Sequence, residues 1–246
     1  MFSGKIKEVT NTRIFARMVG PGRQGLVYAM NVDTPTEVAM VLPLPVIVGL
    51  ADEAVKFIDL SKFPHFFSSL DKGFAARSGG DPFAGSTSKS PSLQVYQVGS
   101  FEASFVPKMA DFSRLDERFR LPEGSLEKIG IYKDYGFAVF KFKAGNQKVH
   151  PMALEFPSRF ADRLFFPTVH IHDGEVHEKE KFDHNLYAQC ANRGGRAMLE
   201  WEESSGNAVV FSQAGLSEGL IDATKHVYRL RLMGELKNED QFLMSV

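Results

Sequence analysis

Cysteine is all but missing from this chain: Cys190 is the single one among 246 residues. No intrachain disulfide can form, and a reducing, cytoplasmic setting is expected. Net charge of one sign is missing too, since 29 Lys and Arg face 30 Asp and Glu, leaving −1. Without a basic run, the electrostatic footprint of a nucleic-acid binder is absent, so no nucleic-acid partner is expected. No apolar run approaches the roughly 20 residues that span a bilayer. The opening segment carries Lys5, Lys7 and Glu8 where an export signal would be apolar. A membrane role is therefore not expected. Internal repeats are lacking as well.

What is present is an ordinary globular composition, 43% hydrophobic and 24% charged. A chain of this length buries a full core without disulfides or structural metals, so a metal, if bound, would serve function rather than folding. Stretches rich in Val, Ile, Met and Tyr, punctuated by Gly, Asn, Asp and Pro, predict strands over 13–19, 26–32 and 37–46. Pro43 and Pro45 confine the last of these to a sheet edge or an extended exit, because neither donates to a ladder. A short helix or irregular segment is expected over 63–74, and further strands over 93–106, 137–143, 150–156 and 164–172. Short helical turns are expected over 109–117 and 124–131. The run 137–143 (FAVFKFK) is apolar on both faces in its first half and belongs in the middle of a sheet. Near the C-terminus, 197–202 and 208–213 read as a hairpin, followed by a strand over 227–236 and a return over 241–245.

The reading is a mainly β (β-rich α+β) protein: two packed, largely antiparallel sheets with a few short helices. It forms one domain, 1–246, with a flexible loop at 76–92, or alternatively lobes 1–75 and 93–246. That loop (ARSGGDPFAGSTSKSPS) holds too little apolar surface to offset its ordering entropy. The 22 Phe are expected to fill the core.

Several motifs fail on inspection. Gly20-Pro21-Gly22-Arg23-Gln24-Gly25 has the letters of a dinucleotide fingerprint but leads into a strand, not a helix N-terminus, so it reads as a turn and no nucleotide cofactor is expected. Gly215-Leu216-Ser217-Glu218-Gly219 has the letters of a nucleophile elbow, yet only His226 lies downstream, too soon for that fold, so Ser217 reads as a cap. His177 begins a zinc-protease pattern that Lys181 breaks. Cys190 reads as a small hydrophobe. No catalytic residue is assigned. His65, His150 and His226 stand alone and read as structural.

One constellation suggests chemistry. Asp173-Gly174 is a strong two-residue hairpin signal. Folding there would oppose His172 to Glu175 and His170 to His177, and strand alternation would put all four on one face. Three imidazoles and a carboxylate suit zinc or another divalent metal, with His184 or Asp183 as an outer group. The first functional expectation is thus a divalent-metal-binding protein, extending to a metal-dependent hydrolase. Against it, Lys179 would sit on the same face, and Ile171 and Val176 opposite would make the histidine side the solvated one. The alternative is a non-enzymatic binding or assembly module, with a protein partner or a second copy of the chain.

Short stretches at Met40–Pro45, Val98–Ala103, Phe119–Pro122, Tyr132–Val139 and His150–Ala153 together resemble an uncharacterised bacterial domain family. The likeness covers roughly 130 residues and carries no chemical signature. The family has no established activity, so it implies no functional residue.

Overall fold

Alternation of side chains along the strands sorts the core into layers. The computed structural model describes residues 1–49, 51, 54–74, 96–98, 101–115, 132–148, 150–171, 176–190 and 198–244. Strand β1 (Glu8–Gly20) turns into β2 (Arg23–Thr34). Gly22 in that turn has a φ of 65°, a left-handed value that glycine adopts without a steric penalty. The glycine-rich stretch is therefore the predicted hairpin turn between two strands.

The larger sheet also contains β4 (Lys56–Asp59), β8 (Gly145–Lys148), β9 (Met152–Pro157), β11 (Lys179–Gln189), β12 (Glu202–Glu203) and β13 (Tyr228–Lys237). Its order is β12-β13-β11-β1-β2-β9-β4, with β8 also on β2. Every pairing is antiparallel except β1 with β11, which is parallel. The second sheet runs β3 (Val38–Leu44), β7 (Gly136–Phe142), β6 (Phe101–Val106), β5 (Tyr96–Val98), all antiparallel. A separate ribbon joins β10 (Arg163–Phe166) to β14 (Gln241–Met244). The fold is mainly β, as the sequence predicts.

Between the two sheets lies the main core. Ile14, Ala16, Leu26 and Tyr28 of the larger sheet meet Met40 and Phe140 of the smaller one. The alternate residues Phe15, Val27, Ala153 and Tyr187 point the other way and pack under a short helix, α1 (Phe66–Asp71). On the outer side of the smaller sheet, Val41, Phe137 and Val139 pack with Phe112 and Tyr132. Each strand thus feeds two layers at a period of two. Fully burying one such large apolar side chain stabilises by about 1.5–3 kcal/mol, so 13 residues of β1 with Ile14, Phe15 and Ala16 all at 0% exposure are pinned in register. Strand β7 lies between β3 and β6, as its two-sided apolar pattern predicts, and β3 with Pro43 lies at the sheet's edge.

Three expectations change. The stretch 164–172 is a strand only through Phe166. The predicted hairpin of 197–202 with 208–213 reduces to β12 and a 3-10 turn at Ala208–Val210. There the backbone instead hydrogen-bonds Ala208 and Val209 to Lys225 and Ala223, leaving Val209 and Val210 exposed. Third, β14 follows β13 but leaves it to pair with β10. The loop at 76–92 and the helical turn at 124–131 lie outside the described residues. No helix among the described residues is long and apolar enough to cross a membrane.

Candidate functional site

Two aspartates, both partly buried, tie the irregular segments of the chain onto the sheets, and the histidine segment hangs from Asp240. Of the predicted metal ligands, His172 and Glu175 lie outside the described residues, as does the turn at 173–174. His170 and His177 are described, and they do not face each other as ladder partners. Strand β11 begins at Lys179 and spends its pairing on β13 and β1. What spans His170 and His177 is the side chain of Asn238. Its Oδ1 accepts from the His170 N–H at 2.7 Å, and its Nδ2 donates to the carbonyls of His170 (2.9 Å) and His177 (3.1 Å).

The His170 ring turns inward and stacks on Phe182, with centroids 4.6 Å apart. Its Nε2 meets Nε2 of buried His184 at 3.1 Å. One ring must donate and the other accept, because two protonated rings at that distance would repel. His177 stays exposed. Among the described residues, no group of three His, Cys, Asp or Glu could hold a metal ion.

Next to Asn238, Asp240 does the holding. Its Oδ1 accepts from the N–H groups of Thr168 (2.9 Å) and Val169 (3.1 Å), and its Oδ2 accepts from the Tyr132 hydroxyl at 2.6 Å. Thr168 Oγ1 donates to the Glu239 carbonyl at 2.8 Å. Burial outweighs these bonds and pushes the Asp240 carboxyl up to about 6. The same burial brings the Met1 amino group, which Asp240 opposes electrostatically, down to about 5. Burial, reinforced by Asp240, drives the Tyr132 hydroxyl well above its ordinary value.

The other aspartate, Asp71, closes α1. It accepts from the Tyr187 hydroxyl at 2.5 Å and lies near two guanidiniums, Arg229 at 3.6 Å and Arg13 at 3.7 Å. Arg229 is nearly buried, holds Glu202 at 2.6 Å and sits 4.3 Å above the Phe74 ring. Gly73 brings its backbone against the Phe211 ring, where an added Cβ would come within 2.7 Å. The Ser205 N–H donates to the Gly73 carbonyl at 2.8 Å. Helix α1 and the turn after it, through Phe74, are therefore clamped to the larger sheet. On the far side of 75–95, β5 is paired to β6.

Ser217 is no nucleophile. Its buried Oγ donates to the Ala214 carbonyl at 2.6 Å and accepts from the Ile221 N–H at 2.9 Å. His226 instead faces the Ser204 carbonyl at 2.9 Å.

Sequence reasoning missed Asn238, Asp240 and the Asp71 group. Lys237-Asn238-Glu239-Asp240 reads as a solvated turn, and its partners lie 61 to 108 positions away. The only local signal is an Asn and an Asp in a turn, which is too common to single out.

No family model matches the chain. Solved structures do match along its whole length. Baculovirus P35 aligns over 98% of this chain and 97% of its own, with 14% identity and a TM-score of 0.53. A mutated baculovirus P35 after caspase cleavage aligns over 97% and 98%, with 15% identity and a TM-score of 0.51. P35 from a caspase-8/P35 complex aligns over 96% of each chain, with 12% identity and a TM-score of 0.50. At such identities the likeness is one of fold.

These matches correct two expectations. The resemblance to a bacterial family, carried by short stretches over part of the chain, gives way to a viral fold that spans all of it. A bacterial origin has no support. The metal-dependent hydrolase reading falls as well: the described residues assemble no ligand group, and the fold is that of baculovirus P35.

Proposed function

We propose that this chain is a non-enzymatic protein-binding module whose partner is a cysteine protease of the caspase class. The observation that carries the reading is the match over 96–98% of the chain to P35, a mutated form of which is cleaved by caspase and which forms a complex with caspase-8. The clamps described above support it. A protease takes hold of an extended segment of its partner, and affinity rises when that segment is tethered to a rigid body. Here 75–95 is bounded by the Asp71 group on one side and by the β5–β6 pairing on the other. Within 76–92, Asp81 is the single acidic residue and Pro82 follows it. A protease selecting aspartate would have that one to select there, and the proline, which lacks an N–H, would hinder cutting after it. A reducing cytoplasm, where Cys190 stays a thiol, belongs to the same proposal.

The test mixes purified chain with a panel of caspases and reads residual peptidase activity and complex mass. A stable complex with at least one caspase, lost in Asp81→Ala, is the expected result. If every caspase keeps full activity and none is retained by the chain, the proposal fails.

A further inference from the structure

We infer that β13 is an interface through which two copies of this chain pair edge to edge, extending the larger sheet across a twofold axis. Strand β13 lies between β11 and the two-residue β12, whose pairing covers only Tyr228 and Arg229. Among the described residues, Leu230 to Lys237 has no strand on its outer side. That leaves eight residues of edge, about 26 Å at the usual rise, offering backbone N–H and C=O groups to another strand. Met233 is 47% exposed, and the Glu235 side chain is 73% exposed.

The sequence of this edge, Leu230-Arg231-Leu232-Met233-Gly234-Glu235-Leu236, is self-complementary in one antiparallel register. Centred on Met233, Arg231 of each copy lies opposite Glu235 of the other, so the opposite-charge pair forms twice. Leu230 then lies opposite Leu236, on the face where Leu230 and Leu232 already pack against the core. Leu232 lies opposite Gly234, which presents no side chain. Cross-strand pairs of these kinds stabilise a sheet.

Neighbouring registers fail for identifiable reasons. The register centred on Met233 pairs Leu230 to Leu236 and stops there, because Lys237 would lie opposite Arg229, which β12 already pairs. A register centred on Leu232 goes further and lays Leu236 and Glu235 of the second copy onto Tyr228 and Arg229. One centred on Gly234 sets Arg231 opposite Lys237. Any one-residue slip turns an exposed face onto a buried one. Gly234 has a φ of 87°, yet the β11–β13 register runs unbroken from Lys179↔Lys237 to Ala188↔Tyr228. The edge therefore keeps its alignment through that residue. A closed twofold pair is the commonest oligomer of soluble proteins.

The test measures the mass of the purified chain in solution. A species of twice 27.4 kDa is expected for the wild type. R231E and E235R, which each set like charges opposite, should shift it to the single-chain mass, and the R231E/E235R double variant should restore the dimer. Register is read separately in a Cys190→Ser background. Met233→Cys should cross-link under oxidation, because the two residues meet at the axis. Arg231→Cys should not, since its two copies lie about 13 Å apart along the strands. A monomer at every concentration overturns the inference, as does a dimer that both single variants leave intact. Slowed amide exchange in β13 only when a caspase is added would assign the edge to a foreign strand and overturn it equally.

Discussion

Asp240 and Asp71 perform the same task in opposite surroundings. Each ties an irregular segment to a sheet and each accepts from a tyrosine hydroxyl. Asp240 is partly buried and held mainly by hydrogen bonds, with the Met1 amino group as its counter-charge, and desolvation raises its carboxyl to about 6. Asp71, with its side chain 40% exposed, sits beside Arg13 and Arg229. Burial decides the difference. A desolvated carboxylate is costly whatever it accepts, whereas a half-wet one is stabilised by counter-charge at little desolvation cost. The two sites should therefore respond to different variables, Asp240 to pH and Asp71 to salt.

The largest effect is expected from Asp240→Ala. It strips the acceptor from two backbone N–H groups and one hydroxyl. Leaving buried donors unpaired costs about 1–3 kcal/mol each, partly relieved by entering water, for a total near 4 kcal/mol. Urea unfolding of the variant near pH 4, where the folded wild type holds the carboxyl neutral, measures it. A loss below about 1 kcal/mol would mean that Asn238 alone holds the 168–171 segment.

Asp240→Asn separates the charge from the hydrogen bonds. The Asn Oδ1 still accepts from Thr168 and Val169, and Nδ2 can donate to Tyr132, whose hydroxyl also accepts. Because the carboxyl's folded value, about 6, lies above its ordinary 3.8, its stabilising contribution is complete below about pH 4. It is lost as pH rises through 6. The wild type should accordingly fall behind the Asn variant by about 3 kcal/mol between pH 4 and pH 7, two units at about 1.4 kcal/mol each. The Met1 amino group, lowered to about 5, drifts the opposite way, losing stability as pH falls from 8 towards 5. The readout is therefore the difference between the two proteins, in which that drift is largely common. A difference that stays flat with pH would show that Asp240 is not buried as a free carboxyl.

The contrast between the two sites also separates what the sequence makes legible from what it hides. Strands β1, β2, β3 and β7 announce themselves, because a residue facing one core layer must alternate with one facing another. Ile14, Phe15 and Ala16 need no distant information to be read as sheet. Pro43 places its strand at an edge by what it lacks. The stretch from Thr168 to His177 could not be read this way. Its alternating letters suggest a hairpin whose turn lies outside the described residues, and the N–H groups of Thr168, Val169 and His170 are taken by Asp240 and Asn238 from some 70 residues downstream. The rings sort differently too: His170 meets His184 because β11 lies beneath it, a consequence of the parallel β1–β11 pairing and of β13 beyond it. Local pattern specifies a strand's faces. It does not specify which strand will be its neighbour, and a side-chain cluster depends on the neighbour.

The smallest effect, and the one that discriminates between the two kinds of anchor, comes from Asp71→Asn. The Tyr187 hydroxyl can still donate to the Asn Oδ1, so the hydrogen bond survives and only the charge is removed. Arg229 keeps Glu202 at 2.6 Å, which leaves Arg13 as the cation that loses most. For a group this exposed, the ionic contribution should be no more than about 1 kcal/mol. It should shrink further in 1 M salt, where the screening length drops to about 3 Å. The gap between Asp240→Asn and wild type at neutral pH, set by desolvation, should barely move with salt. Unfolding curves at low and high salt therefore test the distinction directly. If the Asp71→Asn penalty is unchanged by salt, Asp71 acts as a desolvated anchor like Asp240, and the division between them by burial is wrong.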